Sequence, residues 1–122
     1  MVAWFEIPVT DMDRAKKFYE AVFDVSISVH DLGGFIMGWF PPATEPKNEA
    51  MGSLVQHETY QPSETHGTLV YFASENVEIE LGRVEEAGGV ILRPKTSIGG
   101  EHGFMALFKD SEGNRIALHS QQ

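Results

Sequence analysis

The chain of 122 residues contains no cysteine at all. Disulfides, thiolate nucleophiles and zinc–thiolate sites are therefore excluded, and the composition is compatible with the cytosol. Basic residues are also scarce, with 9 lysines and arginines against 18 aspartates and glutamates and a formal net charge of −9. Such a charge repels phosphate backbones and anionic lipid surfaces, so we expect neither nucleic acid nor a membrane as a partner.

Long apolar runs are missing too, and the first residues show no basic segment followed by an apolar stretch. We therefore expect a soluble, cytoplasmic protein. No serine lies in a nucleophile-elbow sequence, and no glycine-rich stretch has the spacing of a phosphate-binding loop. The chemistry left for a site is acid–base catalysis, metal-assisted catalysis or binding without turnover.

What the sequence does contain is an internal repeat. The segment Gly34–Phe40 recurs as Gly103–Phe108, and each copy lies downstream of a strand-like run and an amphipathic helix. The strand-like runs are Trp4–Asp11 and Thr68–Glu75, which match at an offset of 64 residues. Two similar units fused in one chain predict a cleft between them.

Each unit has the predicted order β-α-β-β-β, which gives an α+β fold of two βαβββ units with curved mixed sheets around a cleft. We expect one domain over 1–122, with unit 1 at about 1–58 and unit 2 at about 66–122. The predicted strands are 4–9, 25–30, 34–40 and 51–57, then 68–75, 90–93, 103–108 and 115–120. Residues 95–100 have the composition of a loop, and 41–48 form a proline-rich connection.

Helix caps and apolar stripes support this division. Thr10 or Asp11 caps the first predicted helix, and Ser74 or Asn76 caps the second. The predicted buried positions are Met12, Ala15, Phe18, Tyr19 and Val22 in the first helix and Val77, Ile79, Leu81 and Val84 in the second. Trp39 and Phe40 are expected to fill the core, and His30 and His66 to lie on the surface.

Two segments resemble one family. Phe5–Ala15, followed by Phe18 and Tyr19, resembles the opening of proteins of the glyoxalase/bleomycin-resistance/extradiol-dioxygenase superfamily, also called the vicinal oxygen chelate superfamily. Asp110–Ile116 resembles their closing turn and strand. The resemblance covers nearly the whole chain and implies paired βαβββ units. Because the superfamily includes lyases, isomerases, epimerases, dioxygenases and drug-binding proteins, it does not select an activity.

The resemblance also implies a metal site built from four strand positions, which relatives fill with His or Glu. Those positions here are Trp4, Thr68, Ser53 and Ala117, and none is a usual ligand for a divalent ion. We therefore expect the usual metal site to be absent and no cofactor to be bound, with a divalent metal held by displaced ligands as the alternative. An indole at Trp4 would fill the metal's space and offer an apolar floor to a flat organic ligand.

Three residues are candidate catalytic groups: Glu6, His119 and His102. Glu6 and His119 lie two residues beyond two of the metal positions, so strand alternation directs both toward the cleft. If their strands are neighbours, they meet as a carboxylate–imidazole pair, which suits a general acid or base or a displaced metal. The resemblance favours a ligand contact for His102. The alternative for each is an ordinary surface or strand-face residue.

The candidate ligand-binding residues are Trp4, His57, Thr68, Tyr71 and Phe104. We expect a small organic molecule in the inter-unit cleft, with acid–base chemistry that needs no metal. One alternative is a metal-dependent lyase, isomerase or dioxygenase with displaced ligands. The other is a bleomycin-resistance-like protein that sequesters a drug or metabolite without turnover. The resemblance favours a homodimer.

Overall fold

The computed structural model describes residues 2–42 and 51–122, which form two four-stranded sheets with one helix each. The first unit comprises β1 (Trp4–Val9), α1 (Met12–Phe23), β2 (Ser28–Leu32), β3 (Phe35–Trp39) and β4 (Met51–Gln56). The second comprises β5 (Val70–Ala73), α2 (Val77–Ala87), β6 (Val90–Ser97), β7 (Phe104–Lys109) and β8 (Arg115–Ser120). Neither helix is long and apolar enough to cross a membrane.

Both sheets have the same topology. The strand orders are β1-β4-β3-β2 and β5-β8-β7-β6; the pairs β1–β4 and β5–β8 are parallel, and the others are antiparallel. The predicted α+β fold with two βαβββ units is confirmed. The helix caps Asp11 and Asn76 give an offset of 76 − 11 = 65 residues between the units, one more than the predicted 64. Trp4 therefore corresponds to Leu69 rather than to Thr68.

Two strand boundaries differ from the predictions. Residues 25–27 precede β2, and the N–H of Ile27 donates to the Glu20 carboxylate instead of to a sheet partner. β6 continues to Ser97, through part of the predicted loop, with irregular pairing to β7 on both sides of Arg93. β6 is an edge strand, where the missing N–H of Pro94 is tolerated. The proline-rich connection falls mostly outside the described residues.

The core lies where α1 and α2 pack together on one side of both sheets. The predicted buried stripe of α1 is confirmed. In α2 the buried residues are Val77, Leu81 and Val84, whereas Ile79 is 43% exposed because it lies about 200° around the helix from Val77. Aromatic contacts cross between units: the rings of Phe23 and Phe72 have centroids 4.6 Å apart. The two units therefore share one core.

The closing turn of the second unit caps the helix of the first. The Glu112 carboxylate accepts from the backbone N–H groups of Thr10 and Asp11, both at 2.9 Å, and from Arg14 Nε at 2.6 Å. Burial opposes the charge, but these hydrogen bonds lower the pKa of Glu112 from 4.5 to about 2. A carboxylate at the positive end of a helix, paired with an arginine, joins the two units electrostatically.

A buried network continues behind Glu112. The Tyr19 hydroxyl donates to Asp110 Oδ2 at 2.6 Å, and burial followed by the Asp110 charge raises the pKa of Tyr19 well above its usual range. Asn114 donates to Asp110 and to the carbonyl of Pro8 in β1, and it accepts from the N–H of Ser63. The turn thus holds α1, β1 and the connector between units in one place.

We expect Glu112→Gln to destabilise the protein at pH 7 by about 2 kcal/mol, because the amide keeps the shape but loses the charge that Arg14 meets. The depressed pKa also contributes stability that is present above about pH 4.5 and lost as the pH falls toward 2, roughly 3 kcal/mol in total. Chemical denaturation between pH 7 and pH 2 measures both effects.

The matched control is Glu64→Gln, which removes a carboxylate from an exposed pair with Lys109 and is expected to cost under about 1 kcal/mol. Equal losses in the two variants, or the same acid sensitivity in Glu112→Gln as in the wild type, would contradict the role assigned to Glu112.

Candidate functional site

The face of the first sheet that points away from α1 is open and rich in aromatic rings. In its register Trp4 lies opposite Met51, Glu6 opposite Ser53, and Ser53 opposite Trp39. We call this surface the aromatic face; it comprises Trp4, Glu6, His30, Phe35, Met37, Trp39, Met51, Ser53 and His57, with Tyr60 at its edge. Of these, Glu6 is the one residue of the aspartate, glutamate, lysine and arginine types.

Rings on the aromatic face are held against each other. The rings of Trp4 and Trp39 meet edge to face at 6.3 Å, and His30 lies 4.1 Å from Trp39. Phe35 stacks on His57 at 3.8 Å with an interplanar angle of 11°. Trp4 and Phe35 remain 39% and 36% exposed although neighbouring rings hold them in place. Their rings therefore form part of an ordered, exposed apolar patch.

Glu6 is fixed among these rings by two donors. The Tyr60 hydroxyl donates to Glu6 Oε1 at 2.5 Å, and the Trp4 indole N–H donates to Oε2 at 3.3 Å. The hydrogen bond to Glu6, together with desolvation and the Glu6 charge, raises the pKa of Tyr60. The carboxylate is therefore held in a defined orientation by uncharged donors, and no lysine or arginine of the described residues pairs with it.

A cavity of about 440 Å³ adjoins the aromatic face between the two units. It brings together three predicted site residues, Trp4, Glu6 and Thr68. His66 and Arg115 also line it, and Arg115 forms no ion pair with Glu6 in the part of the chain that the structure describes. The cavity lies within the usual size range of small-molecule sites.

The other two candidate catalytic residues lie together, but away from Glu6. His119 Nε2 donates to the carbonyl oxygen of His102 at 2.7 Å, which fixes the proton on Nε2 because a carbonyl can only accept. β8 pairs with β5 and β7, whereas β1 pairs with β4 in the other sheet. The expected neighbourhood of the strands carrying Glu6 and His119 is therefore wrong, and the two side chains do not pair within this chain.

The remaining predicted ligand-binding residues occupy three different surroundings. Tyr71 lies on the open face of the second sheet and is 52% exposed. His57 belongs to the aromatic face, and its Nδ1 accepts from the N–H of Thr59. Phe104 lies on the helix-facing side of β7, packs against the core and carries Lys95 Nζ 4.5 Å from its ring centroid.

Sequence reasoning missed Trp39, Phe35 and Tyr60 as members of the site. Trp39 was expected in the core, yet it lies on the same face of β3 as Phe35, four residues before it, and opposite Ser28 and Ser53, which places it on the face away from α1. The signal was the register of the β2–β3 hairpin, which the turn Gly33–Gly34 sets. Nothing in the local sequence indicates that Tyr60 reaches back to Glu6.

The residues present do not fit the metal that the fold resemblance implies. Trp4 and Ala117 have no ligating atom, and the Ser53 hydroxyl is buried and donates to the carbonyl of Leu54. Among residues 2–42 and 51–122, no group of three or more His, Asp or Glu side chains is arranged to hold an ion. No chemical step at this site is therefore derived through a metal.

Comparison with known proteins agrees with the fold. Residues 1–118 match the model of the glyoxalase/bleomycin resistance protein/dioxygenase superfamily. A glyoxalase I mutant from Zea mays is 22% identical with a TM-score of 0.75 over 98% of this chain, which spans 46% of the maize chain. TnmS3, an antibiotic binding protein from Streptomyces sp. CB03234, is 23% identical with a TM-score of 0.67 over 100% of this chain and 96% of its own.

A glyoxalase/bleomycin resistance protein from Albidiferax ferrireducens T118 is 19% identical, with a TM-score of 0.72 over 100% of this chain and 99% of its own. No curated protein matches the chain in sequence. At these identities the likeness to solved structures establishes the fold alone.

The Glu6–Tyr60 hydrogen bond predicts a measurable coupling. Glu6→Gln should lower the pKa of Tyr60 toward 10.0, because the charge that stabilises the protonated phenol is removed. NMR of protein labelled at tyrosine Cζ, with the signal assigned by Tyr60→Phe, reports this titration directly. Glu58→Gln removes a nearby exposed carboxylate and serves as the control. A Tyr60 pKa that is the same in wild type and Glu6→Gln would contradict the geometry.

Proposed function

The chain belongs to the glyoxalase/bleomycin resistance protein/dioxygenase superfamily, and we propose that it binds a small planar organic molecule on the aromatic face and in the adjoining inter-unit cavity. The observation that carries the proposal is the set of exposed, mutually ordered rings around Glu6. A flat ligand stacked there removes apolar surface from water and gains ring–ring contacts that need little further ordering.

Binding without turnover is the form of this function that the site supports best. General acid–base catalysis needs a second group within hydrogen-bond reach of the reacting atoms, and His119 is engaged with His102 in the other sheet. The named activity of TnmS3, antibiotic binding, is consistent with sequestration by this fold. A metal-dependent lyase, isomerase or dioxygenase receives no support from the donor set at the four metal positions.

The function is tested with acridine, a flat three-ring probe that is neutral at pH 8. We expect saturable binding in isothermal titration calorimetry, weakened about tenfold by Trp4→Leu, which removes the exposed stacking surface, and by Trp39→Leu, which removes the ring that holds Trp4 in place. Both tryptophans of the chain lie on the aromatic face, so intrinsic fluorescence gives a second readout at the site. Unchanged acridine and complete recovery of the compound would accompany sequestration.

The control is Ile79→Ala, which removes an exposed apolar side chain from α2, away from the aromatic face. Thermal denaturation verifies that each variant is folded. The proposal fails if folded wild-type protein does not bind acridine, or if Ile79→Ala weakens binding as much as the tryptophan variants do.

We also propose that the protein is a homodimer in which the open face of the second sheet packs against a second copy. The exposed apolar side chains of Tyr71 and Val90 on that face, 52% and 47% exposed, support this arrangement.

Sedimentation velocity should therefore give twice the chain mass of 13.6 kDa. Tyr71→Glu should shift the protein toward the monomer by placing a charge in the contact, whereas Ile79→Glu, the same charge at an exposed apolar position on α2, should not. A wild-type protein that stays at 13.6 kDa at about 1 mM, where even weak dimers form, would contradict the dimer.

A further inference from the structure

We propose that the ligand of the aromatic face is an organic cation, with a protonated nitrogen in or attached to its planar part. This inference rests on the proposed function and names the chemical class that the same site selects. The positively charged N–H group would lie against the free lone pairs of Glu6 and beside the neighbouring rings. The flat part of the molecule would stack on the exposed indole of Trp4, whose plane is nearly perpendicular to that of Trp39.

The charge on Glu6 is oriented but not neutralised. Its two hydrogen-bond donors, Tyr60 and Trp4, are both uncharged groups. Among residues 2–42 and 51–122, no lysine or arginine belongs to the aromatic face, and the ion pairs there join Arg14 to Glu112, Lys16 to Glu20 and Lys109 to Glu64. Each carboxylate oxygen accepts one of these hydrogen bonds and keeps capacity for another, so a ligand cation finds an acceptor already in position.

The rings beside Glu6 favour the same sign of charge. The face of an indole or phenol ring is the negative side of its quadrupole, and cations within about 6 Å of the ring centroid are attracted to it. The indole N–H of Trp4 donates to Glu6, and the rings of Trp4 and Trp39 meet at an interplanar angle of 86° with centroids 6.3 Å apart, so a group bound at Glu6 lies near both indoles. An anionic ligand would meet Glu6 with no compensating lysine or arginine among the described residues of this face.

The charge of the whole protein acts in the same direction. A net charge of −9 attracts cations over distances of about 10 Å at moderate salt and raises their local concentration. Arg115, which lines the inter-unit cavity from the second unit, is the one feature there that opposes a cation. A test must therefore separate the local contribution of Glu6 from that of the overall charge.

Three probes with the same ring system make that separation. 9-Aminoacridine is a cation at pH 8, acridine is neutral and acridine-9-carboxylate is an anion. We expect wild-type protein to bind 9-aminoacridine about tenfold more tightly than acridine, and the carboxylate more weakly than either, in isothermal titration calorimetry. The quantity of interest is the ratio of the acridine Kd to the 9-aminoacridine Kd.

Glu6→Gln should reduce this ratio from about ten to near one, because it removes the carboxylate charge and keeps the side-chain shape. Glu78→Gln removes the same charge from the exposed surface of α2 and should leave the ratio within about twofold of the wild-type value. Raising the salt concentration from about 20 mM to about 500 mM in wild type tests the electrostatic origin independently, and the ratio should fall.

Acridine binding without any preference for 9-aminoacridine in wild type overturns the assignment of a cationic ligand and leaves the proposed function standing. Equal loss of the preference in Glu6→Gln and Glu78→Gln also overturns it, since overall charge would then explain the effect. Failure of all three probes to bind folded wild-type protein counts against the proposed function itself. Because the wild-type ratio is measured first, the assignment stays falsifiable even if Glu6→Gln does not fold.

Discussion

The carboxylate of Glu112 at the start of α1 is the interaction on which the arrangement of the two units depends. It satisfies two backbone N–H groups that the helix cannot pair internally and meets the guanidinium of Arg14. Directly behind it, Asp110 and Asn114 fasten the same turn to Tyr19 and to β1. The Glu112 side chain, Asp110, Asn114 and Tyr19 are buried, and together with the hydrogen bonds to α1 and β1 they set how the second sheet lies beside the first.

The location of the site follows from this arrangement. Both helices pack on one side of the sheets, so alternate residues of β1, β3 and β4 enter the core and the intervening ones are left on the open side. Ile7 and Leu54 are buried, while Glu6 and Trp4 are exposed. The indoles on this side form an exposed apolar patch, which lowers solubility. Natural proteins usually keep such a patch where it has a function.

Much of the fold could be predicted from the sequence, because the signals that define it are local. The cap at Asp11, the buried stripe of α1 and the repeated glycine-led strand depend on neighbours a few residues away, and they identify two similar units. The helix cap at Asn76 corrects the offset between the units by one residue. β6 was too short in the prediction because irregular pairing at a sheet edge accommodates a proline that an interior strand would exclude.

The site was less predictable, because it depends on how elements are placed in space. Alternation correctly directs Glu6 and His119 away from the helices, yet it carries no information on which sheets or strands lie side by side. Their separation follows from the parallel pairing of β1 with β4 and of β5 with β8. Tyr60 reaches Glu6 from the connector, 54 positions further along the chain, where no periodic pattern operates.

The helix cap supplied by Glu112 also constrains the order of folding. α1 is among the first elements to be synthesised, but the group that completes its N-terminus follows about a hundred residues later. The first unit alone therefore lacks part of the stabilisation that it has in the whole chain, even though the chain consists of two similar halves. Long-range contacts of this kind close large loops and slow the folding reaction. We therefore expect the two units to fold together in one cooperative transition.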